Sequence, residues 1–335
     1  MPFNPLEAYN NGLEGARRDP RAEELLIDTV MRSGGDPDGS RNAYNWGLAG
    51  ASKDKLSLLT PYVEQCYPGA FPGSAQLWGD CTAAAAVRVA LASMCCEIVL
   101  GKPDEETGIA EEAPEVVSEA VKHSVLSQES VFAWRGFDDD GWSCDAAAQT
   151  IMDRGFLLRQ NYPALGIDLT KYTTQTIKLG GARRPGEAVL AEQRKHRVRT
   201  VTVLKDVEEA GDYIASGFAV AFCSSTLKFS NVRNEDGLSE RVAGAWAHSQ
   251  GMYGFDARPA VVKKYGESLV LVGNQWNAWN TGPQKILGTD LEIPHGFYWV
   301  RSSLFNKTRA KMIAYSSILG WQKKRLPDFG ATGHI

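Results

Sequence analysis

The chain has 335 residues, 43% hydrophobic and 23% charged, with a formal net charge of −4. That length exceeds one minimal domain but allows one large domain with an extension, and the composition excludes a disordered or fibrous chain. A mildly acidic balance excludes a general pull toward nucleic acid or acidic membrane, and the short basic stretch from Arg194 to Arg199 has no interleaved aromatic residues to stack bases.

Residues 1–7 lack a basic region followed by an apolar run, so no secretory signal is expected. From Asn4 to about Arg32 the pattern reads as a polar helix or two, with Leu25, Leu26, Val30 and Met31 as an apolar stripe. Residues 33–40 are dense in turn formers and read as a linker, which sets a boundary between residues 33 and 60. An irregular entry through Pro68, Gly69, Pro72 and Gly73 stops at Gly79-Asp80-Cys81, where a long alanine-rich helix is expected to begin. Its window from Thr82 to Leu100 carries Arg88 and Glu97, which fits a buried helix and not a membrane span. Further helices are expected within residues 111–130 and 143–154, with Gly155 as a stop.

After about residue 196 the pattern changes to strands. Residues 198–204 alternate with β-branched side chains, a helix follows near residues 207–216, and short apolar or aromatic runs recur at 218–222, 245–255, 268–273 and 296–301. The class is α+β: a helical half, then an antiparallel sheet half, with a cleft between them.

Six cysteines form neither a disulfide scaffold nor a Cys/His zinc pattern, and adjacent Cys95 and Cys96 read as reduced core thiols. Cys81 differs because it opens a helix, and a helix N-terminus lowers a thiol pKa and favours the nucleophilic thiolate. Five residues earlier, Gln76 carries an amide that would donate to an oxyanion together with the Cys81 N–H. Residues 76–81 alone read equally well as a core helix opening on a buried cysteine. His248 sits in a small-residue, aromatic strand, and Asn274 ends another, where its amide would accept from the imidazole and hold its tautomer. Taken singly, a core histidine and a turn asparagine explain these two; the three together suggest a Cys-His-Asn triad.

These blocks resemble the papain family of cysteine peptidases, in family order from about residue 60 to residue 305. The segment from Gln76 to Cys81 resembles the glutamine-to-nucleophile block, and its Gly-Asp-Cys is similar to the calpain branch. The segment from Asp138 through Gly141 to Asp145, continuing to Asn161-Tyr162-Pro163, resembles the glycine-containing substrate wall and the helix after it. Asn274-Gln275-Trp276 resembles the Asn-Ser-Trp block, and Gly296 to Arg301 the strand that follows. The resemblance implies a papain-like fold with the active site in the cleft between its two subdomains. In it Cys81 attacks a carbonyl, His248 protonates the leaving amine, Asn274 orients His248, Trp276 shields that bond, Gln76 completes the oxyanion hole, and Gly141 pairs with an extended peptide.

The sequence departs from the family at several positions. Gln76 lies five residues before the cysteine where the family usually has six, Thr82 replaces an aromatic residue, and Asn277 stands where glycine normally follows the tryptophan. Asp80 adjoins Cys81, where its charge would oppose thiolate formation. The family's disulfide cysteines are not matched, which suits a reducing compartment, either the cytoplasm or the inside of a viral particle. The extension lacks the helical signature of an inhibitory propeptide, so zymogen control is not expected. Residues 1–58 are expected as extension and linker, 59–310 as the peptidase domain and 311–335 as a tail.

The expected function is peptide-bond hydrolysis through an acyl-enzyme thioester, acting on peptides or proteins, without metal or organic cofactor, nucleic acid or membrane. The alternatives are a papain-like structural or binding module whose partner subunits order the chain ends, and a thiol amidase or transferase.

Overall fold

A computed structural model describes residues 16–17, 21, 48–71, 75–100, 125–198, 200–277, 279–315 and 326–332. The expected linker at 33–40, and all of the expected N-terminal helices except residues 16, 17 and 21, lie outside these residues.

The centre of the molecule is helix α2 (Cys81–Leu100), preceded by α1 (Thr60–Cys66). Alanine and unbranched residues dominate α2, and all of its first sixteen residues are buried, as a helix apolar on every face must be. Among the described residues it is the helix long and apolar enough to cross a membrane, but most of it lies inside the chain. Beside it lie α3 (Gln128–Phe132) and α4 (Cys144–Asp153), and α5 (Glu187–Gln193) is tied to α3 by Gln193 Nε2, which donates to the Ser130 carbonyl. Ser127 and Ser143 cap α3 and α4 by accepting from backbone N–H groups of their first turns.

The second half is a seven-stranded sheet. Its path is β10 (Phe297–Arg301), β9 (Leu269–Gly273), β8 (Arg241–Asp256), β7 (Val220–Phe229), β11 (Lys311–Tyr315) and β6 (Val201–Leu204), while β2 (Leu56–Leu58) pairs with the end of β8. All of these pairings are antiparallel. Helix α6 (Val207–Ile214) also packs on the sheet, and its Gly211 meets the Phe255 ring where a Cβ would come within 2.8 Å. Helix α2 runs across β7, β8 and β11, so the helical and sheet halves share one core. This is the α+β arrangement that the resemblance implies.

The sheet extends past both expected domain boundaries. Residues 56–58 form a strand against residues 254–256 of β8, and 311–315 form the strand between β7 and β6. Leu326 donates to the Ala215 carbonyl and Phe329 packs edge-on against Tyr62, so Met312 to Tyr315, Leu326 and Phe329 belong to the core, not to a tail. Both corrections have one cause: a strand of three to five residues carries too little pattern to separate it from a linker.

Cys95 and Cys96 are free thiols, as the sequence suggested. Cys144 and Cys223 are joined by a disulfide, while Cys66, Cys81, Cys95 and Cys96 are free. Spacing could not have found this bond, because its partners are 79 residues apart and on different halves of the fold.

Candidate active site

The loop before α2 is pinned at nearly every step. Gln76 N donates to the Gln275 carbonyl at 2.7 Å and Leu77 N to the Tyr172 hydroxyl at 3.0 Å. Gly79 N donates to Asp140 Oδ1 at 2.8 Å, and the Gly79 carbonyl accepts from Gly141 N at 2.8 Å. A Cβ on Gly79 would lie 2.7 Å from that of Asp140, so only glycine permits this approach. Gly141 has φ 78° and turns the chain into the short strand β3 (Trp142–Ser143). The loop is thereby laced to the expected substrate wall on one side and to the Asn274 segment on the other.

Asp80 points into the helical half. Its carboxylate accepts from Gln128 Nε2 at 2.7 Å and from the Tyr172 hydroxyl at 3.0 and 3.2 Å. Full burial raises it to about 7, against the lowering effect of those two bonds. Behind this cluster lies a bidentate ion pair, Arg159 to Glu129, at 2.7 and 3.0 Å with both side chains buried.

Cys81, the first residue of α2, is wholly buried. Burial pushes its thiol up to about 12; the N–H of Ser249 works against this, Asp80 adds to it, and the N–H groups of Thr82 and Cys81 itself favour the ionised form. Ser249 follows His248 on β8, so the sheet presents the histidine's neighbour directly to the thiol.

On β8, His248 lies opposite Ser224 of β7. Its Nε2 bonds Asn274 Oδ1 at 3.0 Å, and its Nδ1, also buried, makes no hydrogen bond among the described residues. The Cys81–His248 hydrogen bond is therefore not formed in this structure. Asn274 Oδ1 also accepts from Gln275 N at 2.8 Å, and Asn274 N donates to the Gly296 carbonyl at 3.2 Å, which fixes the amide at the end of β9. Burial brings His248 down to about 4, the Asn274 bond acting the other way. At neutral pH the thiol and the imidazole are both uncharged.

Trp276 stacks on the imidazole with ring centroids 4.8 Å apart and planes 23° from parallel. Trp246 and Trp279 close around it with centroids at 5.1 and 5.4 Å, and Trp246 also meets His248 edge-on. These rings keep water from the His248–Asn274 bond and lower the local dielectric, which strengthens it. Gln76 is buried, with its Nε2 donating to the Trp78 carbonyl.

The structure thus brings Cys81 to the strand of His248, places Asn274 on the far ring nitrogen, lays Trp276 over the ring and ties Gly141 to the loop before Cys81. Sequence reasoning missed Tyr172, Gln128 and the shielding role of Trp246. The last was legible, because residues two apart on a strand share a face. Tyr172, 92 residues from Asp80, gave no signal.

No family model matches the chain, and no curated protein matches it. Solved structures do. One is xylellain, a cysteine protease from Xylella fastidiosa, at 11% identity over 78% of this chain and 86% of that one, TM-score 0.46. A proCathepsin B from Trypanosoma congolense matches at 10% identity over 82% and 78% of the two chains, TM-score 0.45. The Amb a 11 cysteine protease of ragweed pollen, in its proform, matches at 12% identity over 79% and 66%, TM-score 0.44. The solved structures that this chain resembles are papain-like cysteine proteases.

Proposed function

We propose that the chain is a cysteine-type peptidase in which Cys81 is the nucleophile, His248 the acid–base group, Asn274 its orienter and Gln76, with the Cys81 N–H, the oxyanion donor. One observation carries this reading: the thiol lies against the N–H of the residue after His248, while that imidazole commits Nε2 to Asn274 and keeps Nδ1 unbonded among the described residues. In the first step the Cys81 S–H proton passes to His248 Nδ1 as sulfur bonds the scissile carbonyl carbon. Asn274 holds the tautomer that makes Nδ1 the acceptor. Collapse of the tetrahedral intermediate expels the amine, which takes the proton from His248, and water then hydrolyses the thioester. Gln76 gives one Nε2 hydrogen to Trp78 and has a second for the oxyanion.

A second reading, a papain-like module kept for binding, draws on the neutral, buried pair and on the missing hydrogen bond between its members. Iodoacetamide labelling across pH separates the two, with the modified cysteine identified by mass spectrometry in wild type, Cys81→Ala and His248→Ala. The peptidase reading expects Cys81 to alkylate faster than Cys66, Cys95 and Cys96, to slow in His248→Ala, and peptide cleavage to vanish in Cys81→Ala. Labelling of Cys81 no faster than of the other thiols would overturn it.

A further inference from the structure

The disulfide lies where the substrate groove is expected, and its position suggests a use. Cys144 directly follows β3, three residues after Gly141, and opens α4 in the helical half. Cys223 lies on β7 in the sheet half, directly opposite Ser249 of β8, whose N–H faces the Cys81 thiol. A second tie runs beside the first: Asp145 pairs with Lys311 at 2.5 Å, and Lys311 is the β11 partner of Cys223. The space between these elements already holds an extended segment. Strand β1 (Ala16–Arg17) pairs in parallel with Trp142 and Ser143 and packs against both β7 and β8. The three elements that flank this strand are therefore β3, which Cys144 directly follows, β7, which carries Cys223, and β8, which carries His248. Zymogen control was not expected from the extension, yet two of its residues lie here, and Ala16, half-buried against the core, places only a methyl group in the space.

We propose that Cys144–Cys223 is the floor of the peptide groove and determines which side chains it accepts, and that reduction of this bond widens the choice. The inference rests on reading the groove as a peptide-binding cleft. The two Cα atoms are 6.5 Å apart with sulfur filling the gap, so no side chain inserts between the walls there, and an extended peptide must present alanine or glycine. Cys223 is half-buried, whereas Cys144 is buried, so a reductant must approach from the Cys223 side. A dithiol supplies the two electrons: one thiolate attacks a sulfur of the bridge, its second thiol closes the reductant's own disulfide, and Cys144 and Cys223 each end with a proton. The walls are then held together at this point by the Asp145–Lys311 pair, which salt weakens.

The test compares N-acyl-Ala-Ala and N-acyl-Phe-Ala chloromethyl ketones as alkylators of Cys81, and the corresponding amides as ligands by isothermal titration. It uses the full chain in three forms: oxidised wild type, wild type reduced with dithiothreitol, and Cys144→Ala/Cys223→Ala without reductant. In the oxidised protein the alanine probes should be favoured by about tenfold or more, and the preference should fall to about twofold in the other two forms. The same preference in all three forms, both thiols free in protein purified without reductant, or no amide binding in any form would overturn the proposal. Iodoacetamide is run in parallel as a size-insensitive probe. If it fails to label Cys81 while the amide preference responds to the disulfide, the peptidase reading falls and the gate stands.

Discussion

Replacing Asp80 with asparagine keeps the size and most of the hydrogen-bonding capacity of the group that anchors the loop before Cys81, and removes its charge. Asp80 is wholly buried and raised to about 7. An aspartate titrates near ~3.9 in an unfolded chain, so holding the ionised form in the fold costs about 4 kcal/mol. Because the folded pKa is the higher one, between pH 4 and pH 7 the folded state binds the proton and the unfolded state does not. The contribution to stability is complete below about pH 4 and lost as pH rises to 7. His248, brought down to about 4, acts with the opposite sign in the same window, losing stability as pH falls. It is common to both proteins and cancels in their difference. Asp80→Asn should therefore gain stability relative to wild type as pH rises, by about 4 kcal/mol between pH 4 and pH 8, a differential Tm of about 6 °C. Thermal unfolding followed by circular dichroism at half-unit steps of pH measures it. A Tm difference that is flat across this range, or that moves against the variant as pH rises, would refute the argument that the carboxylate is held in the fold against its desolvation cost.

Two further outcomes follow from neighbouring groups. Asn274→Ala removes the acceptor from a buried ring N–H, so urea unfolding should show a loss of about 1–3 kcal/mol, and Cys81 labelling should slow because the imidazole loses its fixed tautomer. Arg159→Met strands the buried Glu129 carboxylate and should cost about 3–5 kcal/mol in the same assay, whereas Glu129→Leu with Arg159→Met should recover most of that loss, since the penalty comes from the unpaired charge.

What was legible in the sequence was carried by long periodic segments and by ordered local blocks. The α2 helix announces itself because a long helix apolar on every face must be covered, and Arg88 and Glu97 favour the protein interior over a membrane. The β8 and β9 strands show as apolar and aromatic runs, and the ordered blocks around Cys81, His248 and Asn274 singled out three residues of which His248 and Asn274 are hydrogen-bonded in the fold. What stayed hidden depends on contacts between segments far apart in the chain. Tyr172 bridges Leu77 and Asp80 from a stretch with no motif of its own. Cys223 meets Cys144 only because β7 and the start of α4 face one another. The sign of Asp80's influence was legible, since it adjoins Cys81 and raises its pKa; the direction of its side chain was not, since that is set by Gln128 and Tyr172.

The electrostatics of the resting site bear on how such a site would be switched on. Desolvation is the largest cause of both shifts, upward for Cys81 and downward for His248, and each move favours the uncharged form. A site that is dry and closed therefore holds a neutral thiol beside a neutral imidazole, however well Asn274 orients the ring. Any movement that admits water or a polar substrate relaxes the same cause at both groups, so the thiol pKa falls while the imidazole pKa rises, and proton transfer between them becomes easier from both ends. The groups that remain after such wetting all act in the productive direction: the opening N–H groups of α2 and the Ser249 N–H favour the thiolate, and the Asn274 amide favours the imidazolium. The exception is Asp80, whose charge opposes the thiolate. Placing that carboxylate at about 7 makes it half protonated near neutral pH, which removes part of the opposition in the pH range where the imidazole must still accept a proton. Above pH 7 the opposition returns, so Asp80→Asn should speed Cys81 alkylation most at pH 8 and above, and a variant equally fast at pH 6 and pH 8 relative to wild type would show that the charge does not reach the thiol.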